Sequence, residues 1–306
     1  MSSYKITKIS DDFYLIALAP PLSGFSEFIG IWLYLGVPAF IVDVGPSTTI
    51  TDLLDAFDKL NVCRLDYILL THIHLDHAGG IGQFAARFPD TPIVCHQAAI
   101  SHLLDPSRLW EGTKKVLGSM AEAYGPIQPV SGNPLLNAEQ FTSDAITPIM
   151  TPGHAPHHVS FKTDKYLFAG ETGGVFHSFS QDRFYLRPAT PPRFFFETAL
   201  SSIDLLIESK PSTICYSHYG LKDNAVEMLK IHRRQLYFWE KIIREVIENP
   251  GVEEPIEACT RKLLKVDSLT AGFHDLPSAV QEREKYFLQN SIKGFISDIE
   301  RGQEIR

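Results

Sequence analysis

The chain has 306 residues, of which 44% are hydrophobic and 21% are charged, proportions typical of a globular protein with a large core. Its 28 Lys and Arg residues against 36 Asp and Glu residues give a formal net charge of −8. This acidic balance disfavours nucleic acid as a partner, because proteins bind a phosphate backbone by neutralising its charge with basic side chains.

The cysteines and the apolar runs predict a cytoplasmic protein that does not bind membranes. No two of the four cysteines form a C-x-x-C pair, so we expect free thiols in a reducing compartment. Residues Met1 to Lys5 lead into charged sequence without the apolar segment of a signal peptide. The longest uncharged stretch, Phe28 to Val42, is broken by Gly and Pro and is shorter than the roughly 18 residues of a membrane span.

The first half of the chain predicts a series of strands followed by alternating strands and helices. Alternating runs in residues 4–18 and two apolar runs across Gly36-Val37-Pro38 indicate strands and a hairpin. A helix is expected after Thr49, where four apolar residues share one face. The further predictions are a strand at 66–70, a helix at 81–88, a strand at 92–95, and helical sequence at 96–124 with breaks at Asp105-Pro106 and Gly118.

The second half changes character at Gly220. Before it, apolar runs predict strands at 145–151, 159–163, 166–169 and 213–216, with a helix at 197–208. Beyond it, apolar residues recur at helical spacing up to Ile299. We therefore predict a domain over residues 1–220 and a helical C-terminal extension over residues 221–306.

The loop Thr71 to Gly80, which directly follows a predicted buried strand, carries the clearest chemical signal. Three imidazoles and one carboxylate lie within six positions, as His72, His74, Asp76 and His77. Imidazole and carboxylate groups are ligands of zinc and related metals. The loop therefore predicts a metal site, and the alternative is a polar surface loop that happens to be rich in histidine.

Four further candidate residues follow other predicted strands. Asp43 ends the apolar run 39–42, His154 follows Thr151-Pro152-Gly153, Glu171 follows Ala169-Gly170, and His218 follows Tyr216-Ser217. Because each comes after an apolar run, these side chains could share one edge of a sheet. Two metals that share a bridging carboxylate and a water would satisfy the coordination that zinc prefers in hydrolytic sites.

The order of these motifs resembles the metallo-beta-lactamase superfamily, over about residues 5–220. The resemblance implies a four-layer αββα sandwich with appended C-terminal helices. Carried over by position, His72, His74 and His154 would bind a first metal, and Asp76, His77 and His218 a second. Asp43 would fix the orientation of a metal ligand without binding the metal itself. His158 could be a further hydrogen-bond donor to a ligand.

Glu171 departs from the pattern of this family, which usually has an aspartate that bridges both metals. Three arrangements are open: Glu171 bridges both metals from a retracted backbone, it binds one metal only, or it is not a ligand and the site is mononuclear or mixed. Metal–ligand distances tolerate errors of only about 0.2 Å, and the extra methylene of a glutamate displaces its carboxylate by more than that. Zinc is the expected metal of a two-metal site, with iron and manganese as alternatives.

The resemblance implies a cytoplasmic metal-dependent hydrolase that uses a metal-bridging hydroxide on a small organic ester, in particular a thioester. Asp76 would ligate one metal and orient the hydroxide. Glyoxalase II and thioesterase-like hydrolases with helical C-terminal additions have a similar layout, and those helices would cover the entrance of the active site. The alternatives are a non-haem iron oxidoreductase of the persulfide dioxygenase type, a phosphodiesterase or lactonase, and a binding protein with a degenerate site.

The stretch Val175 to Phe196 interleaves aromatic and arginine side chains. It could line a substrate pocket, or it could dock the C-terminal helices. The candidate substrate-binding residues are Phe176, His177, Phe179, Arg183 and Tyr185. We read His96, His102 and His232 as surface or core residues without a catalytic role. We expect a small-molecule substrate, and a homodimer is the oligomer left open.

Overall fold

The computed structural model describes residues 4–180 and 182–304. The first three residues, on which part of the signal-peptide prediction rests, lie outside this description. The chain forms two compact units, one of Met1–Met150 with Val159–Asp164 and one of Thr151–His158 with Lys165–Arg306. The predicted helical extension over residues 221–306 falls within the second unit. In the described part of the chain, no helix is both long and apolar enough to cross a membrane.

A seven-stranded sheet forms the centre of the first unit, with its strands in sequence order. Its strands are β1 (Tyr4–Ser10), β2 (Phe13–Leu18), β3 (Ile29–Tyr34), β4 (Phe40–Val42), β5 (Tyr67–Leu69), β6 (Ile93–Cys95) and β7 (Leu135–Asn137). The first four are antiparallel neighbours, whereas β4 to β7 run parallel. The C-terminal ends of β4 and β5 therefore lie at the same edge, and this places Asp43 beside the histidine loop.

Six α-helices accompany this sheet in the described part of the first unit. They are α1 (Ile50–Lys59), α2 (Leu75–Ala78), α3 (Ile81–Arg87), α4 (Gln97–Leu104), α5 (Ser107–Leu117) and α6 (Ser119–Tyr124). The predicted breaks at Asp105-Pro106 and Gly118 are confirmed. The sequence did not predict α2 or β7, because each has only three or four residues and forms through contacts with neighbouring segments.

Two further strands of the first unit are antiparallel to each other, β8 (Thr147–Met150) and β9 (Val159–Lys162). The segment between them, Thr151–His158, belongs to the second unit. Backbone hydrogen bonds join Thr151 N to His158 O at 3.0 Å and Val159 N to Thr71 O at 2.7 Å. The segment that carries His154 is thus closed at its base by its own backbone.

The strands of the second unit form two groups. Parallel strands β10 (Tyr166–Phe168) and β13 (Thr213–Tyr216) pair with each other, and β14 (Gly220–Asp223) adds antiparallel to β13. The antiparallel pair β11 (Val175–Ser178) and β12 (Phe184–Arg187) lies in the aromatic-arginine stretch. The expectation that strands end before Gly220 is wrong, because β13 offers a free edge to a segment with little β-pattern of its own.

Four α-helices complete the described part of the second unit: α7 (Phe196–Glu208), α8 (Ala225–Ile247), α9 (Pro255–Val266) and α10 (Ser278–Glu304). Their apolar faces pack around aromatic rings. The ring of Phe295 lies 5.0 Å from that of Phe194 and 6.1 Å from that of Trp239, measured between centroids. This packing explains why the helical sequence beyond Gly220 carries wide apolar faces.

Candidate metal centre

Asp43 organises the ligands of the first unit. It follows β4 with a φ of 59°, a left-handed conformation that few residues other than glycine adopt. Its buried carboxylate accepts hydrogen bonds from Thr71 N at 2.8 Å, Thr71 Oγ1 at 2.9 Å and His77 Nδ1 at 2.9 Å. These donors replace the water that the carboxylate loses on burial.

The hydrogen bonds of Asp43 fix the orientation of two imidazoles. Because a carboxylate only accepts, His77 Nδ1 carries the proton and His77 Nε2 presents a lone pair. The hydroxyl of Thr71 donates to Asp43 and lies 3.0 Å from His72 Nδ1, so it accepts from that nitrogen. His72 Nε2 is therefore also a lone pair, and it lies 3.0 Å from His74 Nδ1. His77 Nε2 lies 3.8 Å from Asp76 Oδ2.

A close approach of backbone segments holds the histidine loop in place. The carbonyl of His77 accepts hydrogen bonds from Val44 N at 2.8 Å and Gly45 N at 3.0 Å. A Cβ on Gly79 would lie 3.1 Å from Pro46 Cα, so this position has little room for a side chain. The Gly79-Gly80 pair after the histidines thus lets α2 pack against the turn that begins at Asp43.

His154 is held from both sides within the second unit. Gly153 precedes it with a φ of 148°, and a Cβ there would lie 2.9 Å from Ala199 Cα. His154 Nδ1 lies 2.9 Å from the carbonyl oxygen of Ala189, to which it donates because a carbonyl only accepts. The Nε2 atom of His154 therefore presents a lone pair, and it lies 2.6 Å from Glu171 Oε2.

Glu171 and His218 occupy equivalent places after two parallel strands. Phe168 of β10 pairs with Cys215 of β13, and each candidate ligand follows three residues beyond its pair. Their side chains consequently reach each other, with His218 Nε2 at 3.6 Å from Glu171 Oε1. One carboxylate thus contacts the imidazoles of two histidines.

His158 supports Glu171 through the backbone. Glu171 N donates to His158 Nε2 at 3.1 Å, so the other ring nitrogen carries the proton. That nitrogen, Nδ1, lies 2.8 Å from Thr151 Oγ1 and 3.3 Å from Thr172 Oγ1. His158 is buried and accepts from Glu171, whereas the sequence suggested a donor.

The chemistry of these donors fits a divalent metal ion. In the second unit, a lone pair of His154 and a carboxylate oxygen of Glu171 face each other at 2.6 Å, and neither has a proton to donate when His154 is neutral. In the first unit, His72 and His77 present lone pairs fixed by Asp43 from behind, the arrangement in which a carboxylate orients a metal-bound histidine. The residues that could hold a metal ion are His72, His74, Asp76 and His77 in the first unit and His154, Glu171 and His218 in the second.

A second buried cluster of charges lies in the second unit. Glu284 of α10 pairs with Arg187 Nε at 2.5 Å and with Arg283 Nη2 at 2.9 Å, and all three side chains are at most 5% exposed. Burial by itself raises the pKa of Glu284, but the two arginines outweigh it and hold the pKa at about 2. Arg187 ends the strand β12, so this cluster joins that strand to the C-terminal helix.

The predicted substrate-binding residues differ in their accessibility. Phe176 and Tyr185 are buried, and Phe176 stacks on Tyr216 with 4.7 Å between ring centroids. His177 and Phe179 are half-buried, and exposed Arg183 pairs with Asp275 and lies over the Phe179 ring. The contacts of Arg183 and Phe179 favour the docking role of this stretch, and a role in substrate binding stays a prediction.

Sequence reasoning missed several residues that act on the candidate ligands. Thr71 links Asp43 to His72, Thr151 fixes His158, and the carbonyl of Ala189 orients His154. The threonines each stand beside or near a recognised histidine, which is a signal that could have identified them. Nothing in the sequence around Ala189 distinguishes its carbonyl, because that contact depends on the folded chain.

The cysteines match the prediction of free thiols. All four are unpaired, with Cys63 exposed and the other three buried. Burial raises the pKa of the Cys95 thiol to about 12 and that of Cys259 to about 11. These two side chains therefore stay protonated and pack as small apolar groups.

Comparison with known proteins identifies the family. The profile described as "Metallo-beta-lactamase superfamily" matches residues 32–218. The metallo-beta-lactamase fold-containing protein ST1585 of Sulfurisphaera tokodaii is 28% identical over 234 residues, which are 71% of this chain and 82% of that protein. The hydroxyacylglutathione hydrolase of Serratia proteamaculans is 30% identical over 132 residues, which are 43% of this chain and 41% of that enzyme.

Solved structures agree on the fold. The crystal structure of ST1585 matches 94% of this chain with a TM-score of 0.65 and 21% identity, and covers 99% of that protein. The structure of TTHA1429 from Thermus thermophilus matches 97% of this chain with a TM-score of 0.66 and 16% identity, and covers 95% of that protein. The predicted αββα fold with C-terminal helices is thus confirmed. On the extent of the profile match, this chain belongs to the metallo-beta-lactamase superfamily.

Proposed function

We propose that this protein is a metal-dependent hydrolase of a small thioester. The observation that carries the proposal is the approach of His154 Nε2 to Glu171 Oε2 at 2.6 Å, because it brings together an imidazole and a carboxylate, both of which are ligands of divalent metals. Family membership supports the metal, and the hydroxyacylglutathione hydrolases among the relatives support the thioester, since acylglutathiones are thioesters.

The proposed ligands follow the assignment made from the sequence. His72, His74 and His154 would hold one metal, and Asp76, His77 and His218 a second, with Glu171 shared between them. Bound divalent ions would lower the pKa of a water molecule and polarise the carbonyl of the substrate. Zinc is the proposed metal, and His-carboxylate ligands also suit iron and manganese.

The residues of this chain have separate tasks in the proposal. Asp43 holds the proton of His77 on Nδ1 directly and that of His72 through the hydroxyl of Thr71, so that Nε2 of each ring presents its lone pair. The carbonyl of Ala189 has the same effect on His154. His158 holds the backbone of Glu171, which fixes where the longer carboxylate begins. Asp76 would orient the attacking water by accepting its hydrogen bond.

The test combines metal analysis with a substrate panel. The metal content of protein purified without added metal is measured by inductively coupled plasma mass spectrometry. The same protein is then assayed on acylglutathiones, lactones and phosphodiesters. We expect about two zinc or manganese ions per chain and release of thiol from the acylglutathiones. Turnover of lactones or phosphodiesters alone would contradict the thioester, and one iron per chain with oxygen consumption on a persulfide would identify an oxidoreductase instead.

Variants connect that activity to the proposed ligands. His72→Ala and His154→Ala each remove one imidazole, one from each unit, and should lose metal together with hydrolysis. His102→Ala on α4 is the matched control, because His102 is a half-buried histidine outside the proposed site. Equal metal content and activity in all three variants would remove the ligand assignment.

A further inference from the structure

A small cavity in the second unit joins the candidate ligands to a buried histidine of the C-terminal extension. Its volume is about 20 Å³, which is room for one water molecule. His154 and Glu171 line it together with His232 of α8. The other lining groups include the hydroxyl-bearing residues Thr172 and Thr190 and the apolar residues Phe194, Ile203 and Leu236.

The hydrogen bonds behind His232 decide which of its ring nitrogens carries the proton. Gln235 uses both hydrogens of its amide nitrogen, one to Leu186 O at 2.7 Å and one to Asp267 Oδ2 at 2.8 Å. Its amide oxygen is therefore the acceptor that lies 3.2 Å from His232 Nδ1. His232 Nδ1 must donate to it, so Nε2 of this ring is a lone pair.

Asp267, the last acceptor in this chain of hydrogen bonds, is held in place by further donors. Asp267 also accepts from the indole nitrogen of Trp239 at 2.7 Å and from Leu269 N at 2.9 Å. Asp267 is 5% exposed and Gln235 is 2% exposed, so neither group can easily reorient toward solvent. The tautomer of His232 is thus set by the packing of the C-terminal helices.

No residue in the described part of the chain donates a hydrogen bond to His232 Nε2. The side chain is 3% exposed, and among residues 4–180 and 182–304 its only hydrogen bond is the one from Nδ1. Burial lowers the pKa of His232 to about 4, so the ring is neutral near pH 7. A water molecule in the cavity can donate a hydrogen bond to this nitrogen.

We infer that the cavity binds one ordered water, which donates one hydrogen to His232 Nε2 and the other to the carboxylate of Glu171. A carboxylate and an imidazole lone pair are both acceptors, and a water molecule has the two donors that can join them. His232 is then a positioning residue for Glu171. This inference rests on the metal-binding part of the proposed function and on no particular substrate.

The inference gives a reason for the C-terminal helices to affect the metal site. A glutamate has one more rotatable bond than an aspartate, so its carboxylate needs more support to keep one position. The relay from Asp267 through Gln235 and His232 would supply that support from α8 and the segment after α9. Supporting partners of this kind typically change metal affinity by roughly 10- to 100-fold.

The first test needs neither metal nor substrate. Long-range proton-nitrogen NMR on the metal-free full-length protein reports which nitrogen of His232 is protonated, with His232→Gln used to assign its signals. We expect protonation at Nδ1, and a high-resolution crystal structure should show one water between His232 and Glu171. Protonation at Nε2 or a dry cavity would overturn the inference, whatever the protein proves to hydrolyse.

The second test compares variants at this position. His232→Leu removes the acceptor, and His232→Gln can place an amide oxygen near the former Nε2. Leu229→Met, one turn away on the same face of α8 and fully buried, controls for altered packing. Metal affinity is measured by chelator competition, and the cobalt-substituted protein reports ligand geometry by its visible spectrum.

The expected pattern separates positioning from simple loss of packing. His232→Leu should bind metal roughly 10- to 100-fold more weakly with an altered cobalt spectrum, and His232→Gln should recover most of that affinity. Leu229→Met should keep both properties. An unchanged affinity and spectrum in folded His232→Leu would overturn the inference. Should that variant fail to fold, the NMR result on the unsubstituted protein still decides.

Discussion

Oδ2 of Asp43 accepts a hydrogen bond from Nδ1 of His77 at 2.9 Å, and both side chains are 2% exposed. Thirty-four positions separate the two residues along the chain. Their contact exists because β4 and β5 are parallel neighbours whose ends lie at one edge of the sheet. The same carboxylate reaches His72 through the hydroxyl of Thr71, so it controls two candidate ligands at once.

Replacing Asp43 by asparagine tests this control. Asparagine tolerates the left-handed backbone at position 43, but its amide nitrogen would face groups that donate to the present carboxylate. We expect Asp43→Asn to weaken metal binding by roughly 10- to 100-fold, measured by chelator competition. Asp12→Asn, an exposed change of the same chemistry, should have no effect. Unchanged affinity in Asp43→Asn would show that the two histidines are oriented without it.

Shortening Glu171 tests whether the site is built for the longer side chain. Glu171→Asp withdraws the carboxylate by about one bond length, well beyond the roughly 0.2 Å that metal coordination tolerates. We expect fewer metal ions per chain than in the unsubstituted protein, and a further decrease in Glu171→Gln, which also loses the charge. Elemental analysis after dialysis measures both. Full metal content in Glu171→Asp would indicate that the backbone moves to compensate.

Gly153→Ala tests the turn that presents His154. The added Cβ would lie 2.9 Å from Ala199 Cα, on a backbone with a φ of 148°. We expect a loss of stability of at least about 1 kcal/mol by chemical denaturation, together with weaker metal binding. Gly112→Ala within α5 is a matched control, since nothing lies within 4 Å of its Cβ. That change should stabilise the protein by roughly 0.5–1 kcal/mol.

Glu284→Gln tests the buried ion cluster. The substitution leaves Arg187 and Arg283 without their carboxylate partner inside the second unit, which should cost roughly 3–5 kcal/mol of unfolding free energy. Glu282→Gln, exposed on the same helix, should stay within about 0.5 kcal/mol of the unsubstituted protein. Denaturant titration at neutral pH measures all three proteins. A loss no larger than that of the control would mean that the cluster contributes little.

The same carboxylate predicts a pH dependence. The pKa of Glu284 is held at about 2 in the folded protein, below the ordinary value near 4.3 of an unfolded glutamate. Its contribution to stability is therefore complete above about pH 4.3 and is lost as the pH falls toward 2. The difference in unfolding free energy between the unsubstituted protein and Glu284→Gln should narrow over that window. A constant difference down to pH 2 would contradict this titration.

The sequence by itself determined the order of most elements, the helix breaks at Asp105 and Gly118, and the candidate ligands. Periodicity and chain breakers are local, and each ligand follows a strand whose apolar run is visible without knowledge of its neighbours. The resemblance of these motifs to one superfamily then predicted the fold. The sequence did not predict the β11–β12 hairpin or β14, because short strands depend on the partner that they pair with.

Only the tertiary structure decided which groups form hydrogen bonds and ion pairs with the candidate ligands and the buried charges. Arg187 meets Glu284 across 97 positions, and the carbonyl of Ala189 meets His154 across 35. No local pattern predicts such contacts, because they arise when whole helices pack. For His232, the sequence indicated an ordinary core histidine. Its hydrogen bond with Gln235, the contact of Gln235 with Asp267 and its place at the cavity beside Glu171 exist only in the folded chain.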